Sequence, residues 1–126
     1  MAVIMFQPRF AEKIKDGSKL HTIRPVRKRP IKRGDKLSLR RWSGTPYRSS
    51  QVVLREAFCL HTATVSIYRR DSGSAVCKYA MVIQTPHEFT ELAKRDGFES
   101  SKEMVDWFES THGLPFDGIL IQWRFA

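Results

Sequence analysis

The stretch DGSKLHTIR, Asp16 to Arg24, places a lysine (Lys19), a histidine (His21), a threonine (Thr22) and an arginine (Arg24) just after one glycine, Gly17. A threonine hydroxyl attacks a carbonyl only when a base takes its proton. A lysine serves as that base only if its pKa falls from about 10.4 toward about 7 to 8. Arg24, Arg27 and Lys28, together with some burial, would push it that way. The competing reading is an ordinary strand whose polar residues face water. His21 falls on the opposite side of such a strand from Thr22 and reads as structural or peripheral.

Geometry sets a condition on this chemistry. Residues three apart in a regular strand point to opposite faces. Lys19 and Thr22 therefore meet only if Lys19 lies in a turn before regular pairing begins, or if a bulge intervenes. The flanking sequence favours the turn. Val3 to Phe6 reads as a strand and Pro8 to Asp16 as a short helix, with proline in its first turn, Phe10 and Ile14 on one face and Gly17 as its stop. Leu20 to Arg24 then reads as extended, because Pro25 keeps Arg24 out of helical space and Thr22 and Ile23 are β-branched.

Charge points to the partner. The net charge is +9, yet residues 1–85 carry 18 Lys and Arg against 5 acids, whereas residues 86–117 carry 3 against 8. The densest run, Arg24 to Arg41, holds Arg24, Arg27, Lys28, Arg29, Lys32, Arg33, Lys36, Arg40 and Arg41 against one acid, Asp35. Such a run concentrates phosphates and speeds their arrival, so RNA or a nucleotide is the expected partner. A solvated loop that only aids solubility is the bland alternative. A nuclear-localisation reading of VRKRPIKR requires a eukaryotic source.

A length of 126 residues suits one domain, residues 1–126. MAVIMFQPRF lacks the n-region of a signal peptide, and no run approaches the roughly 20 apolar residues of a membrane span. The expectation is a soluble, cytoplasmic protein that engages no membrane. Cys59 and Cys77 form no zinc spacing or disulfide framework and read as reduced core thiols, with no metal and no cofactor expected.

Further strands are read at Gly34–Trp42, Gln51–Leu60, Thr62–Tyr68, Ala75–Ile83 and around Ile119–Phe125, where Ile119, Ile121, Trp123 and Phe125 alternate with Leu120, Gln122 and Arg124. Two helices, Pro86–Arg95 and Ser101–Thr111, open on Thr85-Pro86-His87-Glu88 and Ser100-Ser101-Lys102-Glu103, both with capping-box form. Phe89, Leu92, Met104, Trp107 and Phe108 read as their core faces. About six strands with three short helices give an α+β domain, a small curled or closed barrel.

Gly17-x-Lys19-x-x-Thr22-x-Arg24, followed by IKRGDKLSL, resembles the signature of the ASCH superfamily, a branch of the PUA-like β-barrel proteins. That motif is usually G-x-K-x-x-E-x-R with a later G-D opening a strand. RDGFESSKEMVDWFESTHG and FDGILIQWRF also resemble the family's C-terminal half. Thr22 stands where many members carry glutamate, which is similar to the subgroup of small bacterial amidohydrolases acting on N4-acetylcytidine. Leu20, where that subgroup tends to have threonine, departs from it. The resemblance implies Lys19 as proton acceptor, Thr22 as nucleophile and a later carboxylate as proton donor. The third position falls at Asp96 in Ala93-Lys94-Arg95-Asp96, one methylene shorter than glutamate. Asp96 and Lys19 would titrate as a coupled pair.

The expected activity is therefore metal-independent hydrolysis of an amide on an acylated nucleobase, with Arg24, Arg27, Lys28, Arg29, Lys32, Arg33, Arg40 and Arg41 binding RNA or a modified nucleoside. The rivals are an RNA-binding module without catalysis and an ASCH-type ribonuclease. The ribonuclease would need a phosphate-activating base or a metal, and no clear carboxylate cluster offers one.

Overall fold

The structure, a computed structural model, describes residues 1–126. Strand β1 (Ala2–Phe6) leads through a 3-10 turn, Pro8–Phe10, into α1 (Ala11–Asp16) and β2 (His21–Arg24). An irregular segment follows, then β3 (Lys36–Trp42), β4 (Gln51–Arg69), β5 (Ala75–Tyr79) and β6 (Val82–Ile83). Helices α2 (Pro86–Arg95) and α3 (Ser101–His112) precede the last strand, β7 (Phe116–Phe125). The domain is α+β, with three helices on a mixed seven-stranded sheet.

The 19-residue β4 is the spine of that sheet. It carries β3 and then β5 as antiparallel neighbours, and pairs with β7 from Ala57↔Phe125 to Ile67↔Phe116. β1 lies parallel to β3, a pairing that needs a long crossover, supplied here by α1, β2 and the basic segment. β2 hangs on β7 alone, with Thr22 opposite Ile121. The ladders contain no β1–β2 pair.

Several sequence boundaries shift for identifiable reasons. The two strands read at Gln51–Leu60 and Thr62–Tyr68 are one, because an irregularity between Cys59 and His61 absorbs the change of phase without ending the ladder. The strand read at Ala75–Ile83 is split at Ala80 and Met81, both at positive φ. The alternation in β7 fails at Leu120, which is 2% exposed because α2 covers that face with Leu92. Thr85 forms the full capping box with Glu88. Ser100 caps α3 through the Glu103 amide only, since the Glu103 carboxylate turns to Arg9 at 2.6 Å.

The core runs between sheet and helices, through Ile4, Leu37, Leu39, Ile67 and Trp123 on the strands and Ile14, Leu92, Met104 and Phe108 on the helices. Burying each large apolar side chain contributes roughly 1.5–3 kcal/mol. Cys59 and Cys77 are free and buried within it.

Candidate active site

α1 stops at Gly17, whose φ of 84° reverses the chain, and the Lys19 amide returns to the Lys13 carbonyl at 2.9 Å. Lys19 thus sits in a turn, two residues before the first paired residue of β2. This meets the condition for convergence. Lys19 and Thr22 line one cavity of about 220 Å³, walled by the rings of Phe6, Phe10, Phe98 and Trp107.

Asp96 reaches the same cavity from the C-terminal cap of α2. The Lys19 ammonium, 2% exposed, donates to the Asp96 backbone carbonyl and to Asp96 Oδ1 at 3.2 Å. His21 Nδ1 lies 3.0 Å from that same Oδ1. One carboxylate oxygen is therefore shared by two nitrogen side chains. Oδ2 takes no hydrogen bond from the protein. Asp96 is among the residues that line the cavity, and the one fully buried side-chain polar atom without a partner is Trp123 Nε1. Gly97 holds the next bend at φ 100°, where a Cβ would meet Phe10 at 3.1 Å and the Lys19 stem at 3.4 Å.

Thr22 is 5% exposed, and its Oγ1 accepts from Arg24 Nε at 3.1 Å. The second arm of that guanidinium donates to the Met5 carbonyl at 2.6 Å, and its carbon lies 4.7 Å from the centre of the Phe6 ring. Thr22 Oγ1 therefore accepts from a cation, and its own hydroxyl hydrogen has no hydrogen-bond acceptor in the protein. A fixed cation beside the oxygen lowers the cost of ionising it.

Burial pushes the Lys19 pKa down, which Asp96 opposes and Arg24 and Lys13 assist. Burial also lowers Arg24, to about 10, so it remains a cation at neutral pH. Lys19 Nζ is held 3.2 Å from Asp96 Oδ1 in a buried site. Lys19 and Thr22 share the cavity wall without a hydrogen bond between them.

The basic segment between β2 and β3 is folded back on the sheet. Pro25, Val26, Pro30 and Ile31 surround a hollow of about 170 Å³ against Ile119 and Ile121. The side chains of Arg27, Lys28, Arg29, Lys32 and Arg33 make no hydrogen bond or ion pair with the protein. Arg40 and Arg41 lie on β3 and are engaged: Arg40 with Ser38 Oγ at 2.7 Å and Gln51 Oε1 at 2.9 Å, Arg41 with the Trp42 carbonyl at 3.0 Å. Arg24 belongs to the cavity rather than to this surface.

Sequence reasoning missed three contributors. His21 does lie across the strand from Thr22, but its ring turns to Asp96 instead of standing apart. Trp107, read as core, is half-buried and forms cavity wall, with its Nε1 donating to Gln7 Oε1 at 3.3 Å. His112, at the end of α3, also faces the cavity, and burial together with Arg24 holds its pKa below the usual range. Nothing in local spacing brings positions 6, 98 and 107 together; only the docking of both helices on the sheet does.

A larger hollow of about 430 Å³ lies between the β4–β5 hairpin and the helices and holds none of these residues. Two of its cations are already paired, Arg69 with Glu109 at 3.0 Å and Lys102 with Asp106 at 2.7 Å. No helix is long and apolar enough to cross a membrane.

No family model matches the chain, and no solved structure matches it. Two curated proteins share a short stretch with it, the non-reducing polyketide synthases Dhc5 of Alternaria cinerariae and curS2 of Aspergillus terreus. Each is 36% identical over 53 residues, covering 42% of this chain and 2% of the synthase. The chain thus spans only a small fraction of the length of the relatives it matches.

Proposed function

We propose that this chain is an ASCH-type domain of PUA-like barrel ancestry that takes an acylated cytosine into the Lys19–Thr22–Asp96 cavity and hydrolyses its amide. The observation that carries the reading is the buried Lys19–Asp96 pair opening, with Thr22, on one cavity of about 220 Å³. That volume lies below the roughly 300–1,000 Å³ of drug-sized ligand sites, so it suits a single flat base rather than a whole nucleotide. The aromatic walls offer stacking faces for it.

Lys19, once neutral, accepts the Thr22 proton as Oγ1 attacks the acetyl carbonyl. The C–N4 bond breaks, and N4 takes that proton back from the Lys19–Asp96 pair. Water then cleaves the acetyl-Thr22 ester with the same base, giving acetate and cytidine. The unpaired Arg27, Lys28, Arg29, Lys32 and Arg33 would hold a phosphate backbone outside the cavity.

An RNA-binding module without turnover is the second reading. It draws on the Lys19 ammonium, whose two contacts to Asp96 resist loss of its proton. Acetate release from N4-acetylcytidine by chelator-treated protein separates the two. Turnover is expected, and its absence would leave the binding module.

A further inference from the structure

The turn joining β3 to β4 departs from a local rule and leaves an aromatic ring in water. The Arg48 amide donates to the Thr45 carbonyl at 3.1 Å, which closes a four-residue turn with Pro46 and Tyr47 at its centre. Tyr47 stands at φ 63°. Proline suits the first central position of such a turn, but the second, at positive φ, favours glycine or asparagine, and a bulky side chain there is strained. Burial does not offset that strain, since Tyr47 is 88% exposed and its ring meets only Trp42, with centroids 5.2 Å apart at 48°. The turn is nonetheless braced from within: the Ser49 hydroxyl accepts from the Gly44 amide at 3.0 Å and donates to the Thr45 carbonyl at 2.8 Å.

The charge around the two rings is of one sign. From Lys36 to Arg55 the chain carries five Lys and Arg and no acid. Arg40 lies two residues before Trp42, on the same strand face. It bonds to Ser38 Oγ and Gln51 Oε1, and Arg41 bonds to the Trp42 carbonyl, so both cations rest on neutral acceptors. Arg48, next to Tyr47, makes no side-chain hydrogen bond or ion pair. The register sets this turn apart from the rest of the sheet: Phe6, the last residue of β1, pairs with Arg41, so Trp42 and the turn extend past that strand.

An exposed aromatic pair among guanidinium groups that no carboxylate neutralises matches single-stranded nucleic acid. Every base has a face that stacks on a ring, and every phosphate is a partner for an arginine. An acidic peptide would engage the arginines and leave the rings without a task, and an apolar partner would strand the arginines. We propose, resting on the RNA partner of the reading above but not on its chemistry, that the β3–β4 turn is a stacking arm for single-stranded RNA. One base lies against the Tyr47–Trp42 pair, and Arg48 holds a neighbouring phosphate. A tyrosine occupies the strained position because the ring, not the turn, is what the position serves.

Binding of octaadenylate RNA, compared with an octamer of the same sugar-phosphate chain without bases, tests the arm. Tyr47→Ala should bind octaadenylate at least roughly fivefold more weakly and bind the abasic chain as wild type does. Tyr47→Phe keeps the ring and should bind both as wild type does. Arg48→Ala should flatten the salt dependence of octaadenylate binding by about 0.7 in log-log slope, which Tyr47→Ala leaves unchanged. Tyr47→Asn separates binding from folding, because asparagine accepts the positive φ. It should unfold no earlier than wild type and bind octaadenylate as weakly as Tyr47→Ala. Wild-type affinity in Tyr47→Ala or Tyr47→Asn, or equal loss on both ligands, would overturn the arm while RNA binding by the basic segment still stood. Self-association of wild type that Tyr47→Ala abolishes would overturn it as well, and assign the rings to a second copy of this chain. No binding of octaadenylate by wild type would overturn the RNA partner and the arm together, whereas absence of acetate release alone would end the hydrolase reading and leave the arm standing.

Discussion

Lys19 Nζ and Asp96 Oδ1 lie 3.2 Å apart with their side chains 2% and 5% exposed, joining the turn after α1 to the C-terminal cap of α2. A buried pair of this kind costs more to break than it contributes, since removing one partner strands the other charge away from water. Asp96→Ala should therefore destabilise the fold by about 3–5 kcal/mol, and the Lys19→Met/Asp96→Leu double variant should recover most of that loss. Urea unfolding checks both. A double variant no more stable than Asp96→Ala would mean that the pair does not act as a unit.

Gly97 links stability to the site. At φ 100° an alanine is strained, and its Cβ would press on Phe10 and the Lys19 stem at 3.1 and 3.4 Å. Gly97→Ala should cost upward of about 1 kcal/mol by thermal unfolding. It should also depress kcat more than KM, because the displaced group is Lys19. Equal loss in both constants would show that Gly97 serves the fold alone.

The basic segment makes an electrostatic prediction independent of catalysis. If Arg27, Lys28 and Arg29 hold phosphates, single-stranded RNA affinity should fall with salt with a log-log slope of about −0.7 per phosphate neutralised. The triple alanine variant should flatten it by roughly two to three contacts' worth. An unchanged slope would make the segment a solubility feature.

Much of the frame was legible because local rules and tertiary packing agree in it. Pro8, the Gly17 stop and the Thr85–Glu88 box each act within a few residues of themselves, and each stands where the sequence put it. The long β4 was not legible, since a bulge leaves the same alternating pattern as a break between strands. In the site, the condition on Lys19 could be stated beforehand. The binding of Asp96 to His21 could not, because 75 residues separate them and only the docking of α2 beside β2 closes the distance.

Cys77 gives a pH test of the core. Burial raises its thiol to about 12 from an ordinary 9.0, so the folded state holds a proton that the unfolded state has lost between those values. Stability from this residue is intact below pH 9 and falls as pH rises toward 12, at up to about 1.4 kcal/mol per unit. Lys19, lowered in the fold, contributes with the opposite sign, which is why the comparison is with Cys77→Ala, where Lys19 is unchanged. Wild type should lose stability more steeply than Cys77→Ala above pH 9. Parallel curves would contradict the burial of the thiol.

If Thr22 is the nucleophile and Lys19 its base, acetate release from N4-acetylcytidine by wild type, Thr22→Ser, Thr22→Ala and Lys19→Arg will separate the four proteins. Arginine keeps the charge of Lys19 but cannot give up its proton. Wild type should turn over without added metal, Thr22→Ser should retain activity, Thr22→Ala should lose at least ~10³-fold, and Lys19→Arg should be inactive while binding RNA almost as wild type does. Wild-type rates in Thr22→Ala or Lys19→Arg, or no turnover by wild type, would mean that Thr22 and Lys19 do not carry out this hydrolysis.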